Sequence, residues 1–205
     1  LWQTTVPGEE VASPAVEDGR VVVLTTSGRL MALDTDEGKL QWTLSEEQPP
    51  LTLRSASTPV ITNGAVLYGR ADGKVGIALL SNGQPVRQSK VADPRGATEL
   101  DRMVDVDARP LIAGDELYAI AYNGQLMARK LMTGDEVWKR KYSGYRDMAV
   151  TGNAIVLTDS RSHLFAVDRR NGLELWSNTQ LENRTVTAPV VLGDYVVVGD
   201  VEGYL

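Results

Sequence analysis

The sequence predicts an all-β chain, a β-propeller of four-stranded antiparallel blades present as a partial ring. Three observations carry this reading: a unit that recurs five times, the length of its period, and the turn residues that cut each unit into four short runs. The unit reads Pro, then Gly before a β-branched run, a tight turn, Leu-x-Ala, Gly, and Trp four residues later. The first copy is Pro14, Gly19, Val21-Val22-Val23, Ser27-Gly28, Leu30-Met31-Ala32-Leu33-Asp34, Gly38 and Trp42. The third has Pro110, Gly114, Asn123-Gly124, Leu126-Met127-Ala128, Gly134 and Trp138, and the fourth Gly152, Ile155-Val156-Leu157, Leu164-Phe165-Ala166-Val167-Asp168, Gly172 and Trp176. The second keeps Pro59, Gly64, Asp72-Gly73 and Gly83 but carries Arg87 in the Trp place. The fifth begins at Pro189 and Gly193 and runs to Leu205.

The opening glycines fall 45, 50, 38 and 41 residues apart. A period of roughly 40–50 residues with four short strands per unit is the signature of propeller blades. In the first unit Ala15 to Glu17 is the innermost strand, Arg20 to Thr25 the second, Leu30 to Leu33 the third and Leu40 to Leu44 the outermost. Asp18-Gly19, Ser27-Gly28 and Asp36-Glu37-Gly38 separate them. Asn123-Gly124 and Asp72-Gly73 are expected as two-residue hairpin turns with positive φ at both positions. The chain reads as one domain, 1–205, with a blade end at 1–5, blades near 8–45, 56–90, 107–142 and 146–180, and a partial blade at 186–205. Leu1-Trp2 reads as the last strand of a unit and Leu205 lies in a third strand. A piece of a larger propeller is therefore expected, with open strand edges that invite pairing with another chain; closure as a small ring is the alternative.

Composition excludes several functions. Hydrophobic residues make up 42% and charged residues 23%, near the globular average. No run approaches the roughly 18 apolar residues of a membrane span. The net charge of −6 argues against a nucleic-acid surface, which needs clustered Lys and Arg. The absence of cysteine removes disulfides, thiolate metal sites and thiol nucleophiles together. His163 is the sole histidine. It follows Ser162, which stands where other units carry a turn glycine, and is expected to be an exposed turn residue rather than a general base. Asp and Asn are plentiful, yet they form no convincing calcium constellation. No catalytic residue, metal ligand or cofactor is assigned. The repeated Trp is expected to dock one blade on the next rather than stack on a ligand. Burying such a ring contributes at most about 4–6 kcal/mol. Arg87 should make its blade contact weaker or differently packed.

The departures from the period locate the candidate site. Both expansions fall between the outermost strand of one blade and the innermost strand of the next, so the two enlarged connections are expected side by side on one face, where insertions often mark the binding face. The first is Ser45 to Ser55, stiffened by Pro49-Pro50. Leu51 and Leu53 point the same way if the segment is extended, and Arg54 follows. They either contact a partner or fold back over the channel mouth, and the residues leave both open. The second is Val91 to Arg109, in which Asp105 and Asp107 alternate with Val104 and Val106. Extension puts both carboxylates on one side, where they meet a basic partner, a cation or, most commonly for surface charge, water.

The best copies of the unit, Leu-x-Ala-Leu-Asp-x-x-x-Gly-x-x-x-Trp, resemble the repeat of pyrroloquinoline-quinone-type propellers, a superfamily holding both quinone dehydrogenases and proteins without quinone, so fold does not settle function. The quinone enzymes are expected to carry a vicinal disulfide, which this chain cannot form. The loops Pro49-Pro50-Leu51-Thr52-Leu53-Arg54 and Thr98 to Asp107 resemble those of the BamB family. So do Ala121-Tyr122-Asn123-Gly124 and Val198 to Leu205. These are propeller lipoproteins of the outer-membrane β-barrel assembly machinery of Gram-negative bacteria. The resemblance implies an eight-bladed ring, lipid-anchored to the periplasmic face of the outer membrane by a segment this chain lacks. It implies a non-enzymatic scaffold that binds the POTRA domains of BamA and meets the other assembly subunits indirectly. It further implies partner contacts at Leu51, Leu53, Arg54, Asp105 and Asp107. Two rival readings remain: a quinone-dependent dehydrogenase, and a receiver of unfolded outer-membrane chains by strand addition.

Overall fold

The computed structural model describes residues 1–8, 12–53 and 55–205. It holds four four-stranded antiparallel sheets and one two-stranded sheet, each built from strands consecutive in the chain. The first sheet is β1 (Ala15–Glu17), β2 (Arg20–Leu24), β3 (Arg29–Asp34) and β4 (Leu40–Ser45). The second is β5 (Val60–Thr62), β6 (Ala65–Gly69), β7 (Lys74–Leu79) and β8 (Pro85–Lys90). The third is β9 (Leu111–Ala113), β10 (Glu116–Ile120), β11 (Leu126–Lys130) and β12 (Glu136–Arg140). The fourth is β13 (Ala149–Thr151), β14 (Ala154–Thr158), β15 (Leu164–Asp168) and β16 (Glu174–Asn178). The fifth is β17 (Val190–Leu192) and β18 (Tyr195–Val197). Innermost strands of neighbouring sheets meet, β1 against β5 and β13 against β17.

The turns explain the spacing of the strands. Asp18-Gly19 and Asn63-Gly64 have positive φ at both positions, the backbone of a two-residue hairpin loop matched to strand twist. Asp72-Gly73 and Asn123-Gly124 do not, against expectation: only Gly73 (φ 80°) and only Asn123 (φ 48°) are left-handed. These connections span three residues, closed by Arg70 N–H to the Lys74 carbonyl (2.9 Å) and Ala121 N–H to the Gln125 carbonyl (3.1 Å). A three-residue loop needs one left-handed residue rather than two.

The cores lie between sheets rather than within them. Second strands are buried on both faces, so they read as unbroken apolar runs. In β6, Val66 and Tyr68 pack with Val22, Leu24 and Leu30 of the first sheet, while Leu67 joins Leu117, Ala119 and Met127 of the third. In β10, Tyr118 and Ile120 turn the other way, onto Ile155, Leu157 and Val167 of the fourth. Strand alternation thus sends successive residues into different interfaces.

One side chain from each of the outer strands β4, β8 and β12 rivets its sheet to the next. Trp42 donates its indole N–H to the Leu80 carbonyl (2.8 Å), and Trp138 does the same to Arg169 (2.7 Å). Trp2 repeats the contact on Thr35 (2.7 Å). Each ring lies over the glycine three residues past its acceptor. A Cβ on Gly83 or Gly172 would sit 2.5 Å from the Trp42 or Trp138 ring, so only glycine admits the indole. Arg87 makes the equivalent contact with a different group. Its Nη2 and Nη1 donate to the Leu131 and Met132 carbonyls (2.6 and 3.1 Å), and its guanidinium lies over Gly134. The strand opposite is matched in size: Ala32 and Ala128 pair with Trp42 and Trp138, but Ile77 pairs with Arg87. A β-bulge follows each of these positions on the third strand. Trp176 departs from the expected docking role. It is 42% exposed, against 8% for Trp42 and 5% for Trp138. Among the described residues no glycine lies under its ring.

Trp138→Ala empties an interface that includes Tyr118, Met148 and Ile155 and is expected to cost about 3–5 kcal/mol in urea unfolding. Arg87→Ala removes two exposed or half-exposed hydrogen bonds and is expected to cost about 1–3 kcal/mol. Equal losses would contradict the difference between the two rivets.

Candidate partner-docking site

The two long connections, from β4 to β5 and from β8 to β9, lie against each other. The second enters with Val91 and Ala92 N–H groups on the Gly73 carbonyl (2.9 and 3.1 Å). It then forms a capped turn, in which Thr98 N–H meets Asp101 Oδ2 (3.2 Å) and Asp101 N–H meets Thr98 Oγ1 (3.1 Å). From Val104 onward it is held from both sides. Val106 N–H donates to the Arg70 carbonyl (3.0 Å) and the Asp105 carbonyl accepts from Tyr122 N–H (2.9 Å). This segment passes so close to β6 that a Cβ on Gly69 would collide with the Val106 carbonyl. Met103, Val104, Val106 and Ala108 are buried.

The carboxylates of this segment carry the first connection. Asp105 Oδ1 accepts from the Leu53 N–H (2.9 Å). The Ser55 hydroxyl donates to Asp107 Oδ2. Ser57 Oγ donates to the Ala108 carbonyl (3.2 Å). Residues 53, 55 and 57 are therefore fastened in step to 105, 107 and 108. The expected solvated pair is instead enclosed: Asp105 is 1% exposed and Asp107 half-buried, with loop donors in the place of water at Asp105 Oδ1 and Asp107 Oδ2, while Asp105 Oδ2 is buried without a hydrogen-bond partner among the described residues. The valines beside them are buried too, so both sides of the extended segment face protein.

The start of the first connection has a second anchor. Glu46 N–H donates to the Gly28 carbonyl (2.9 Å). Its carboxylate takes the Tyr68 hydroxyl (2.5 Å) and faces Arg70 Nη1 (2.8 Å). Arg70 reaches on to Asp72 (3.0 Å), which also meets Lys74 Nζ (2.7 Å). Burial, then the neighbouring Glu46, pushes the Tyr68 hydroxyl well above its usual range, so it stays a proton donor. Sequence reasoning missed Glu46, Tyr68 and Arg70. Nothing in their spacing announces a contact across two sheets.

Between these anchors, Leu51 is 41% exposed and Leu53 half-buried. Arg54 lies outside the described residues. Of the four expected contact residues that are described, Leu51 is the one that is exposed, while Asp105 and Asp107 face the loop that carries it.

His163 differs from the expected exposed turn residue. Ser162 adopts φ 72° in the glycine's place and turns the imidazole inward. There Nδ1 lies 3.1 Å from Asp159 Oδ2 and Nε2 lies 3.7 Å from Glu182 Oε1. Among the described residues, no three His, Asp or Glu side chains are grouped to hold a metal ion.

Burial raises the Asp105 carboxyl above its ordinary value, offset by the Leu53 N–H. It pushes Asp107 up to about 6, offset by Ser55 and reinforced by the charge of Asp105. A raised carboxyl means that the folded state holds the proton more tightly than the unfolded chain, whose value is 3.8. Its contribution to stability is thus greatest in acid, falls as pH rises to about 6, and is flat above. Urea unfolding at pH 4.5 and pH 7 is expected to show a smaller pH difference in Asp107→Asn than in the parent. An unchanged difference would contradict this assignment.

Residues 1–178 match the family model described as outer membrane protein assembly factor BamB. The assembly factor BamB of Shewanella oneidensis is 46% identical over 205 residues, covering 100% of this chain and 52% of that protein. The Vibrio cholerae protein of the same name is 48% identical over 200 residues, covering 98% of this chain and 52% of its own length. The crystal structure of BamB from Moraxella catarrhalis superposes with a TM-score of 0.92 at 28% identity, over 97% of this chain and 60% of that one. A quinohemoprotein alcohol dehydrogenase from Pseudomonas putida superposes at 0.70 over 97% of this chain and 40% of its own, but at 16% identity it shares the fold alone. The chain spans about half the length of the relatives it matches. The match over most of the chain, together with four-stranded blades and two enlarged connections, means that this chain belongs to the BamB family of outer membrane protein assembly factors.

Proposed function

We propose that this chain forms part of a non-catalytic scaffold in outer membrane protein assembly, and that it docks on the POTRA domains of BamA through the Leu51–Arg54 loop. Leu51 and Leu53 supply apolar anchors and Arg54 supplies charge, the residue types that interfaces favour. Asp105 and Asp107 act from beneath, as positioning residues that fix the loop before the partner arrives. The observation that carries this reading is the hydrogen bond from Leu53 N–H to the buried Asp105 carboxylate (2.9 Å). A loop ordered in advance loses less conformational entropy on binding. The intact protein would work at the periplasmic face of the outer membrane, held there by a lipid anchor, with the other assembly subunits met through BamA.

Titration calorimetry of the full-length protein against the POTRA domains tests this. Leu51→Ala and Arg54→Glu are each expected to weaken binding about tenfold or more. Asp105→Asn keeps an acceptor for the Leu53 N–H and should bind nearly as the parent, whereas Asp105→Ala should not. Binding lost equally in both Asp105 variants would assign the carboxylate a direct charged contact. Binding indifferent to Leu51 and Arg54 would remove the loop from the interface.

A further inference from the structure

The junction between the second and third sheets differs from its counterparts in what fills it. At three positions an indole covers the turn glycine of the neighbouring sheet, from Trp2, Trp42 and Trp138. At the fourth, the slender Arg87 side chain does so, and a cleft of about 270 Å³ remains beside it. Its floor is Leu67 and Ile77, and its rim is Val86, Leu131 and Met132. Val86 is 59% exposed and Met132 77%.

We propose that this cleft receives an aromatic side chain from an extended polypeptide lying along β8. The chain's own repeats indicate the chemistry, since the corresponding space elsewhere is occupied by an indole. The guanidinium of Arg87 is tied down by the Leu131 and Met132 carbonyls and so offers a fixed cationic surface to a π face. Met132 adds a polarizable thioether at the rim, a group that packs well on aromatic rings. The polypeptide component follows from topology. β8 is the terminal strand of its sheet, so one side of its backbone is open to an added strand. In an added strand every second side chain faces the same way, which brings an aromatic over the cleft while its neighbours point to solvent. The cleft shares no residue with the Leu51–Arg54 loop or the Asp105–Asp107 segment, so its failure would leave the docking proposal standing.

The test uses the full-length protein with ¹³C-labelled methionine methyl groups. It is titrated with a ten-residue peptide of alternating Thr and Phe, and with a Thr–Ala peptide of the same length. The Phe peptide is expected to shift the Met132 methyl resonance and to bind about tenfold tighter than the Ala peptide. Arg87→Trp, combined with Ile77→Ala to give the facing alanine of the other junctions, installs their indole, fills the cleft and should abolish that preference. Should this double variant fold poorly, Val86→Glu at the exposed rim is expected to abolish the preference in the same way. Equal affinity for the two peptides, a silent Met132 methyl, or a preference that survives in the folded double variant or a folded Val86→Glu protein would overturn the proposal.

Discussion

Every level of this structure depends on one contact: the side chain that leaves an outer strand and covers the turn glycine of the next sheet. It closes the outer ends of the three interfaces among the first four sheets, and in the first of them β1 against β5 closes the inner end. Between them sit the apolar clusters, with members from two sheets each. A sheet in this fold has no stable face of its own. Its alternate residues belong to different interfaces, so its stability is shared with its neighbours in the manner of a repeat array. The acceptor carbonyl three residues before the glycine is the same in all four contacts, whether the donor is an indole or a guanidinium. Where the hydrogen bond is kept but the ring is exchanged for Arg87, a cleft opens beside the side chain.

The long connections use that rigid frame to hold a loop in one conformation. Burying a carboxylate is costly unless donors replace its water. Here the donors come from the loop itself, so part of the cost of enclosing Asp105 and Asp107 is offset only when Leu53 and Ser55 are in place. The charge and the loop order each other. Glu46, shared by Tyr68 and Arg70, sets the opposite end of the same segment. With both ends fixed and Pro49-Pro50 between them, Leu51 is presented on a braced arch.

Much of the fold was legible because its signals are local and repeated. Glycines before β-branched runs and Trp at a constant offset from Gly report turns and strand ends directly. The hairpin turn type at Asp72 and Asn123 was misread because a dipeptide does not reveal whether the connection spans two residues or three. The enlarged connections were visible as breaks in the period. What their residues touch was not, because hydrogen bonds from 53 to 105 and from 55 to 107 cross more than fifty residues and carry no pattern in either segment. The acidic alternation at 104–107 resembled a wetted edge, and only the placement of the first loop against it turned those carboxylates inward. His163 was misjudged for a related reason: a left-handed Ser162 gives no sequence sign that it aims the next side chain at Asp159.

The account stands on Asp105 acting through the loop rather than beside it. A double-mutant cycle of Leu51→Ala and Asp105→Ala, read as POTRA affinity of the full-length protein, tests this most directly. If Asp105 serves only to place Leu51 and its neighbours, the double variant will bind no more weakly than Asp105→Ala alone. If the two losses add, Asp105 makes its own contact with the partner and the positioning role is wrong.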